Sequence, residues 1–215
     1  SIAPTYNNNL AITELTHTLD VSAKRIFVRQ VDVADSESCL GFVRECQERF
    51  GSIDFLVNNA AVLRMASIHN MTDGLWRELM SSNLDPVFYI CRSFSPVINT
   101  GGSIVNIASA AAHKGAVDHS AYAASKAAVL AFSRSLAREV APSIRCNVIS
   151  LGMIDTEMLD ELPNEVLQSL KEKSPYHRLG KPIEIAGAIG FLSSQRSSFG
   201  TAETLHVNGA GYIAS

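Results

Sequence analysis

The chain has 215 residues, of which 47% are hydrophobic and 18% charged, with a net charge of −3. That is enough for one domain with a sizeable core, and the balance offers no basic surplus for nucleic acid or an anionic membrane and no charge-rich disordered tract. No uncharged apolar run approaches the ~20 residues needed to span a bilayer, so small-molecule chemistry is the expectation. Cys39, Cys46, Cys91 and Cys146 are widely spaced, form no CxxC pair and lie in apolar runs. That suits reduced, buried thiols in a cytoplasmic protein better than a disulfide framework or a metal site.

Residues 1–9 mix turn formers without a period and read as irregular. Leu10, Leu15 and Leu19 permit a short helix, weakened by threonines. Ile26 to Val33 is rich in β-branched residues and ends in Asp32-Val33-Ala34-Asp35, a strand followed by a helix start. Leu40, Val43, Gln47 and Phe50 then form the inner stripe of an amphipathic helix that stops at Gly51. Ile53 to Val57 is a short all-apolar run, as expected of a strand covered on both faces, and it leads into Asn58-Asn59-Ala60-Ala61. Thr72 to Ile98 is helical in pattern, with a kink predicted at Pro86, which lacks a backbone donor.

Gly101-Gly102 read as a break, after which Ser103 to Ala108 forms the strand that delivers Ser109 at its carboxyl end. A loop over 110–119 precedes a helix over 121–140, ended by Pro142, and Ile144 to Ile149 is the next buried strand. Residues 153–181 carry no strand signal and form a candidate lid. A helix opens at Pro182 and runs through Leu192, and Thr204 to Val207 is the last strand. Strands alternate with helices throughout, which predicts a single α/β domain over residues 1–215 with a Rossmann-like, doubly wound, mostly parallel sheet. Its ligands would bind at the carboxyl ends of the strands.

Tyr122 and Lys126 stand one turn apart on the 121–140 helix, with Cβ atoms roughly 5–6 Å apart. A phenol beside an ammonium can titrate closer to neutrality than the usual value near about 10, which suits proton transfer to or from an alcohol. The same spacing also occurs on ordinary amphipathic helices, so the surrounding residues decide its meaning. Ser109 could cap the exit from its strand, Asn83 could satisfy backbone freed near Pro86, and Thr156 could cap a helix in the 153–181 segment. No serine sits in a G-x-S-x-G elbow and no phosphate-binding P-loop is present.

Asn58-Asn59-Ala60-Ala61, Asn83, Ser109, Tyr122-Ala-Ala-Ser-Lys126, Asn147-Val-Ile-Ser-Leu-Gly152 and Ile154-Asp-Thr156, in this order and spacing, resemble a classical short-chain dehydrogenase/reductase. The resemblance implies an oxidoreductase that transfers hydride between NAD or NADP and a small carbonyl or secondary alcohol. It makes Tyr122 the general acid/base, Ser109 the holder of the reacting oxygen, Lys126 a ribose ligand that lowers the tyrosine's pKa, and Asn83 the holder of a relay water. Asp32 and Val33 would lie at the adenine, Asn58 and Ala60 along the cofactor, and Thr156 at the carboxamide. His119 and Gly152 are the candidates for substrate contact, although the family requires neither His119 nor His113; Arg64 reads more simply as a solvated loop residue. The resemblance further implies a homodimer or homotetramer paired through the helices over 72–98 and 121–140.

The chain departs from the pattern in one large respect. The first glycine is Gly41, so the Gly-rich turn that receives the pyrophosphate is missing, together with roughly a first β-α-β unit of some 30 or more residues. Two expectations follow: the N-terminal unit belongs to a longer gene product, or the chain is a truncated, non-catalytic scaffold. Either way the Ile26–Val33 strand should be isolated and the edge of the Ile53–Val57 strand exposed. Ala61 replaces the family's usual glycine and Leu151 its usual proline, both tolerable changes.

Overall fold

The structure, a computed structural model, describes residues 5–6, 27–159 and 162–214. The chain runs through β1 (Thr5–Tyr6), β2 (Arg29–Gln30), α1 (Ser36–Phe50), β3 (Ile53–Asn58), α2 (Asp73–Asn83) and α3 (Asp85–Phe94). It continues through β4 (Ile98–Ser109), α4 (Ala111–Lys114), α5 (Ser120–Val140), β5 (Ile144–Leu151), α6 (Asn164–Lys173), α7 (Pro182–Ser193) and β6 (Thr204–Val207). The expected helix through Leu10 and Leu19 lies outside the described residues.

The local signals act where they stand in the sequence. Asp35 caps α1 by accepting from the Ser38 N–H at 2.8 Å, and Gly51, at φ +76°, closes it by bonding to the Gln47 carbonyl at 2.8 Å. Thr72 caps α2 through its hydroxyl, 3.1 Å from the Leu75 nitrogen. The predicted kink is a full break: α2 ends at Asn83, Leu84 intervenes and α3 restarts with Pro86 in its first turn.

β3, β4, β5 and β6 form one parallel sheet in that order. β4 and β5 match from Gly102 opposite Ile144 to Ser109 opposite Leu151, so their carboxyl ends are level. Helices cover both faces. On one, Val87, Ile90, Cys91 and Phe94 of α3 and Val129 and Leu136 of α5 pack with Leu56, Ile104 and Cys146. On the other, Leu192, Ala188 and Ile189 of α7 pack with Val105, Ile107 and Ile149. Arg145, buried on β5, pins the end of α7 by donating to the Leu192 carbonyl and Ser197 hydroxyl, each at 2.8 Å. All four cysteines are free and buried, and burial pushes the thiols of Cys39 and Cys46 up to about 11 and that of Cys146 to about 12.

β1 and β2 form a separate parallel pair. The pair joins the rest through α1: Phe27 stacks on Phe42 at 6.2 Å and Phe42 meets the edge of Phe94 at 6.0 Å. The Ile26–Val33 segment is separate from the main sheet, as expected, but it is not isolated: Arg29–Gln30 pairs with Thr5–Tyr6, and Val31 is buried in the core. The β3 edge has no partner beyond β4 among the described residues, and Phe55 and Val57 are 51% and 38% exposed.

Two readings need correction. Residues 1–9 are not wholly irregular, since Thr5–Tyr6 pairs with Arg29–Gln30. Gly101-Gly102 do not break the chain before β4 but lie inside it, where the pairing with β3 shifts register between Ile53 and Phe55. Gly101 has φ +87°, and a Cβ on Gly102 would stand 2.7 Å from the Asp54 carbonyl oxygen. The glycines bend the strand and admit close backbone instead of ending it. Gly102→Ala is expected to lower unfolding free energy by about 1–3 kcal/mol, read by urea denaturation against wild type.

Candidate active site

The parallel sheet brings three loops to one end: 59–72 after β3, 110–119 after β4 and the segment after β5. Ser109 is the last residue of β4. Its hydroxyl accepts from the Ala111 N–H at 3.2 Å, the strand-exit cap that its position suggested, and it also faces the Tyr122 phenol, whose ionised form it stabilises. The two roles coexist. Lys126 lies one turn further along α5, 3% exposed, and donates to the Ile107 carbonyl at 2.9 Å.

The electrostatics differ from the expectation that Lys126 lowers the tyrosine's pKa. Burial raises the Tyr122 pKa, with only the Ser109 hydroxyl acting against it. Burial likewise pushes Lys126 down to about 8. Each group is held closer to its neutral form by loss of water, and the ammonium is directed at a backbone carbonyl. The site therefore holds a protonated phenol.

Asn83 is buried at the end of α2. Its amide clamps Val62, accepting from the Val62 N–H at 2.8 Å and donating to the Val62 carbonyl at 3.0 Å, and it donates to Ser125 at 3.2 Å. Ser125 in turn donates to the Tyr122 carbonyl at 2.8 Å, so Asn83 reaches the tyrosine's own backbone. The Val87 N–H, which an unbroken helix would aim at the Asn83 carbonyl, bonds to Leu84 instead. Ser125 was not singled out from the sequence, although it lies between Tyr122 and Lys126; its signal was a small polar residue on the inner face of the helix.

The remaining candidates divide. His119 lies close, its ring edge-on to Tyr122 at 6.3 Å and its Nδ1 2.5 Å from the Val117 carbonyl. Gly152 donates to the Val207 carbonyl at 3.0 Å, and a Cβ there would meet Asn208 at 2.7 Å, so the site needs a glycine for backbone packing. The Asn58 side chain turns into the sheet, donating to Asn106 at 2.8 Å and to the Cys91 sulfur at 3.3 Å. Only its backbone is left to line a ligand. Ala60 is exposed. Asp32 is exposed and accepts from the Ala34 N–H at 3.0 Å, while Val33 packs on the core under β2. Neither contacts the Ser109–Tyr122–Lys126 group. Thr156 is exposed, and its carbonyl receives the Leu159 N–H at 2.9 Å at the start of a short 3-10 turn. Arg64 pairs with Glu78 at 3.3 Å on the surface.

Sheet order and strand ends thus bring Ser109, Tyr122 and the buried Lys126 together at the carboxyl end of a parallel α/β sheet. Comparison with known proteins agrees. A family model described as enoyl-(acyl carrier protein) reductase matches residues 1–212. The 3-oxoacyl-(acyl-carrier-protein) reductase FabG of Salmonella typhimurium is 36% identical over 198 residues, covering 91% of this chain and 80% of that protein. Nodulation protein G of Azospirillum brasilense is 34% identical over 188 residues, covering 86% and 76%. Among solved structures, a short-chain dehydrogenase/reductase of Brucella melitensis titled glucose/ribitol dehydrogenase aligns with a TM-score of 0.94 at 38% identity, covering 99% of this chain and 86% of that one. The chain belongs to the short-chain dehydrogenase/reductase family and is an NAD(P)-dependent oxidoreductase.

The depressed Lys126 pKa has a measurable sign. Between about 8, its folded value, and 10.5, the ordinary one, the unfolded chain binds more protons, so this group raises stability as pH rises. The buried thiols act oppositely but equally in wild type and Lys126→Met, and cancel in the difference. The stability of wild type relative to Lys126→Met, measured by denaturation without cofactor, is therefore expected to rise by about 3 kcal/mol across that interval.

Proposed function

We propose that the chain transfers hydride between NAD or NADP and a small carbonyl or secondary alcohol, with Tyr122 as general acid/base. The observation that carries this reading is the Tyr122 phenol facing Ser109 at the carboxyl end of β4, with buried Lys126 one turn behind. The residues fit the nicotinamide end of such a cofactor: Lys126 gives one N–H to Ile107 and has two more for ribose hydroxyls. Bound nicotinamide supplies or accepts the hydride.

In reduction, Ser109 donates a hydrogen bond to the substrate oxygen and Tyr122 gives it a proton. The raised pKa of the phenol keeps that proton in place until the oxygen becomes basic. Lys126 returns a proton to the phenolate, and the Asn83 carbonyl, beside the α2–α3 break, is the acceptor for a water leading to solvent. In oxidation the same steps run backwards. Asp32, Val33, Ala60, Thr156 and the Asn58 backbone are assigned to the rest of the cofactor, and His119 and Gly152 to the substrate. The described part of the segment after β5, with α6, is assigned as a lid within the same domain.

A 3-oxoacyl thioester is the favoured substrate class: the FabG relatives carry that activity in their names, and exposed Met65, Ile68, Met153 and Met158 offer apolar contact on the loops after β3 and β5. A homodimer or homotetramer through α2, α3 and α5 is supported by Trp76 and Phe88, both exposed, the latter packed edge-on to Phe132. No described helix is long and apolar enough to cross a membrane, and the four free thiols accord with a cytoplasmic setting. The assembled site favours catalysis over the scaffold reading.

Tyr122→Phe is expected to lower kcat a hundredfold to ten-thousandfold or so, while quenching of NADH or NADPH fluorescence persists. A loss under tenfold would remove Tyr122 from the acid/base role. Titrating both nucleotides in the same assay identifies the preferred one.

A further inference from the structure

Three polar side-chain atoms are buried without a hydrogen-bond partner among the described residues: His113 Nε2, Ser150 Oγ and His206 Nδ1. They belong to one place. Ser150 and His206 are register partners on β5 and β6, and the His113 ring stands edge-on to His206 at 4.9 Å. Tyr212 completes the group, stacked on His113 at 4.7 Å and 5.2 Å from His206. The proposed reaction uses none of these side chains.

The cluster joins two segments far apart in sequence. His113 lies on α4, which starts two residues after Ser109 and whose first N–H donates to the Ser109 hydroxyl. Tyr212 lies in the segment after β6. Lys114 draws that segment in by donating to the Gly211 carbonyl at 2.6 Å, and Asn208 folds it back by donating to the Tyr212 carbonyl at 3.0 Å. The rings are thus the seam between the turn that positions Ser109 and the chain beyond β6.

The charges around the seam decide what it can hold. His113 faces Arg134 from α5, His206 from β6, Tyr212 from the following segment, and Lys114 beside it on α4; among the described residues no carboxylate acts on it. A metal cation would meet two imidazoles and a hydroxyl, but also Arg134 and Lys114, with no anion among the described residues to balance it. A neutral His113 ring suits the place, and a proton on it does not.

We propose that the His113–His206–Tyr212 rings form an acid-released clasp that holds the turn carrying Ser109 in position. The link to activity rests on the reading of Ser109 given above; the clasp itself does not. When closed, neutral His113 stacks on the Tyr212 phenol. A proton taken up in acid makes an imidazolium among cations with no counter-ion from the described residues, the ring contacts open, and α4 is freed together with the N–H that orients Ser109. Burial, His206 and Arg134 hold the His113 pKa below its ordinary 6.5, so the open form takes the proton first. The closed form therefore loses ground as pH falls from that ordinary value, and the loss levels off below the closed-form pKa.

Amide hydrogen exchange of the full chain, corrected for the intrinsic rate at each pH, reads the opening of residues 110–116 and 207–214. Between pH 7 and 5 it is expected to rise about tenfold for each unit by which the cluster depresses the His113 pKa, and to stay flat in His113→Phe/His206→Phe, which keeps the rings without an imidazole. Tyr212→Ala is expected to open both segments at every pH. In wild type kcat falls over the same acid range, and in the double variant that inflection is absent. Equal acid opening in wild type and the double variant would overturn the clasp. So would unchanged protection in wild type at a pH where imidazole NMR shifts show His113 protonated, a measurement that stands even if the double variant fails to fold. If neither nicotinamide supports turnover, the exchange result still decides the clasp, so the two failures are distinguishable.

Discussion

The Lys126 ammonium, 3% exposed and bonded to the Ile107 carbonyl, fixes where α5 lies along β4, and the site follows from that one hook. Ser109 is two residues beyond Ile107, roughly 6.6 Å further towards the carboxyl end of the strand. Tyr122 is four residues before Lys126 on a helix that returns the opposite way, roughly 6 Å in the same direction. The two advances match, so phenol and hydroxyl meet where the strand ends. A buried ammonium is expensive, and its depressed pKa records the cost. The position keeps a lysine because the same atom that hooks the helix is left with donors for a ligand.

Two buried amide networks hold the loops to this frame. Asn58 donates to Asn106, and Asn106 to Ser133 at 2.8 Å, crossing from β3 through β4 to α5. Asn83 does the same from α2 to the loop after β3 and to α5. With their partners present, these polar groups cost little. With one partner removed, each would leave a buried donor or acceptor unsatisfied, at about 1–3 kcal/mol. They therefore specify one arrangement of strand ends more than they add stability, and the site inherits its geometry from that specificity.

Much of this was legible in the sequence because local chemistry and tertiary position agree. Asp35, Gly51 and Pro182 mark helix ends that the structure keeps, and α5, β5 and β6 lie close to their apolar patterns. Ser109, Tyr122 and Lys126 could be placed together because strand end and helix turn are short-range rules. Long-range facts were hidden. Nothing local says that Asn58 turns inward to Asn106, that Gly101-Gly102 sit within a bent strand, or that the lysine meets a carbonyl before it meets the phenol. Asn106 could have been noticed, since an amide in the middle of Ile-Val-Asn-Ile must find a partner. The meeting of His113 with His206 and Tyr212 had no sequence signal, because ring contacts across 93 and 99 positions obey no period.

The outer edge of β3 has a consequence of a different kind. Its backbone carries donors and acceptors that no described strand answers, and Phe55 and Val57 stand open beside them. Such an edge accepts any extended segment that presents itself, including one from another molecule.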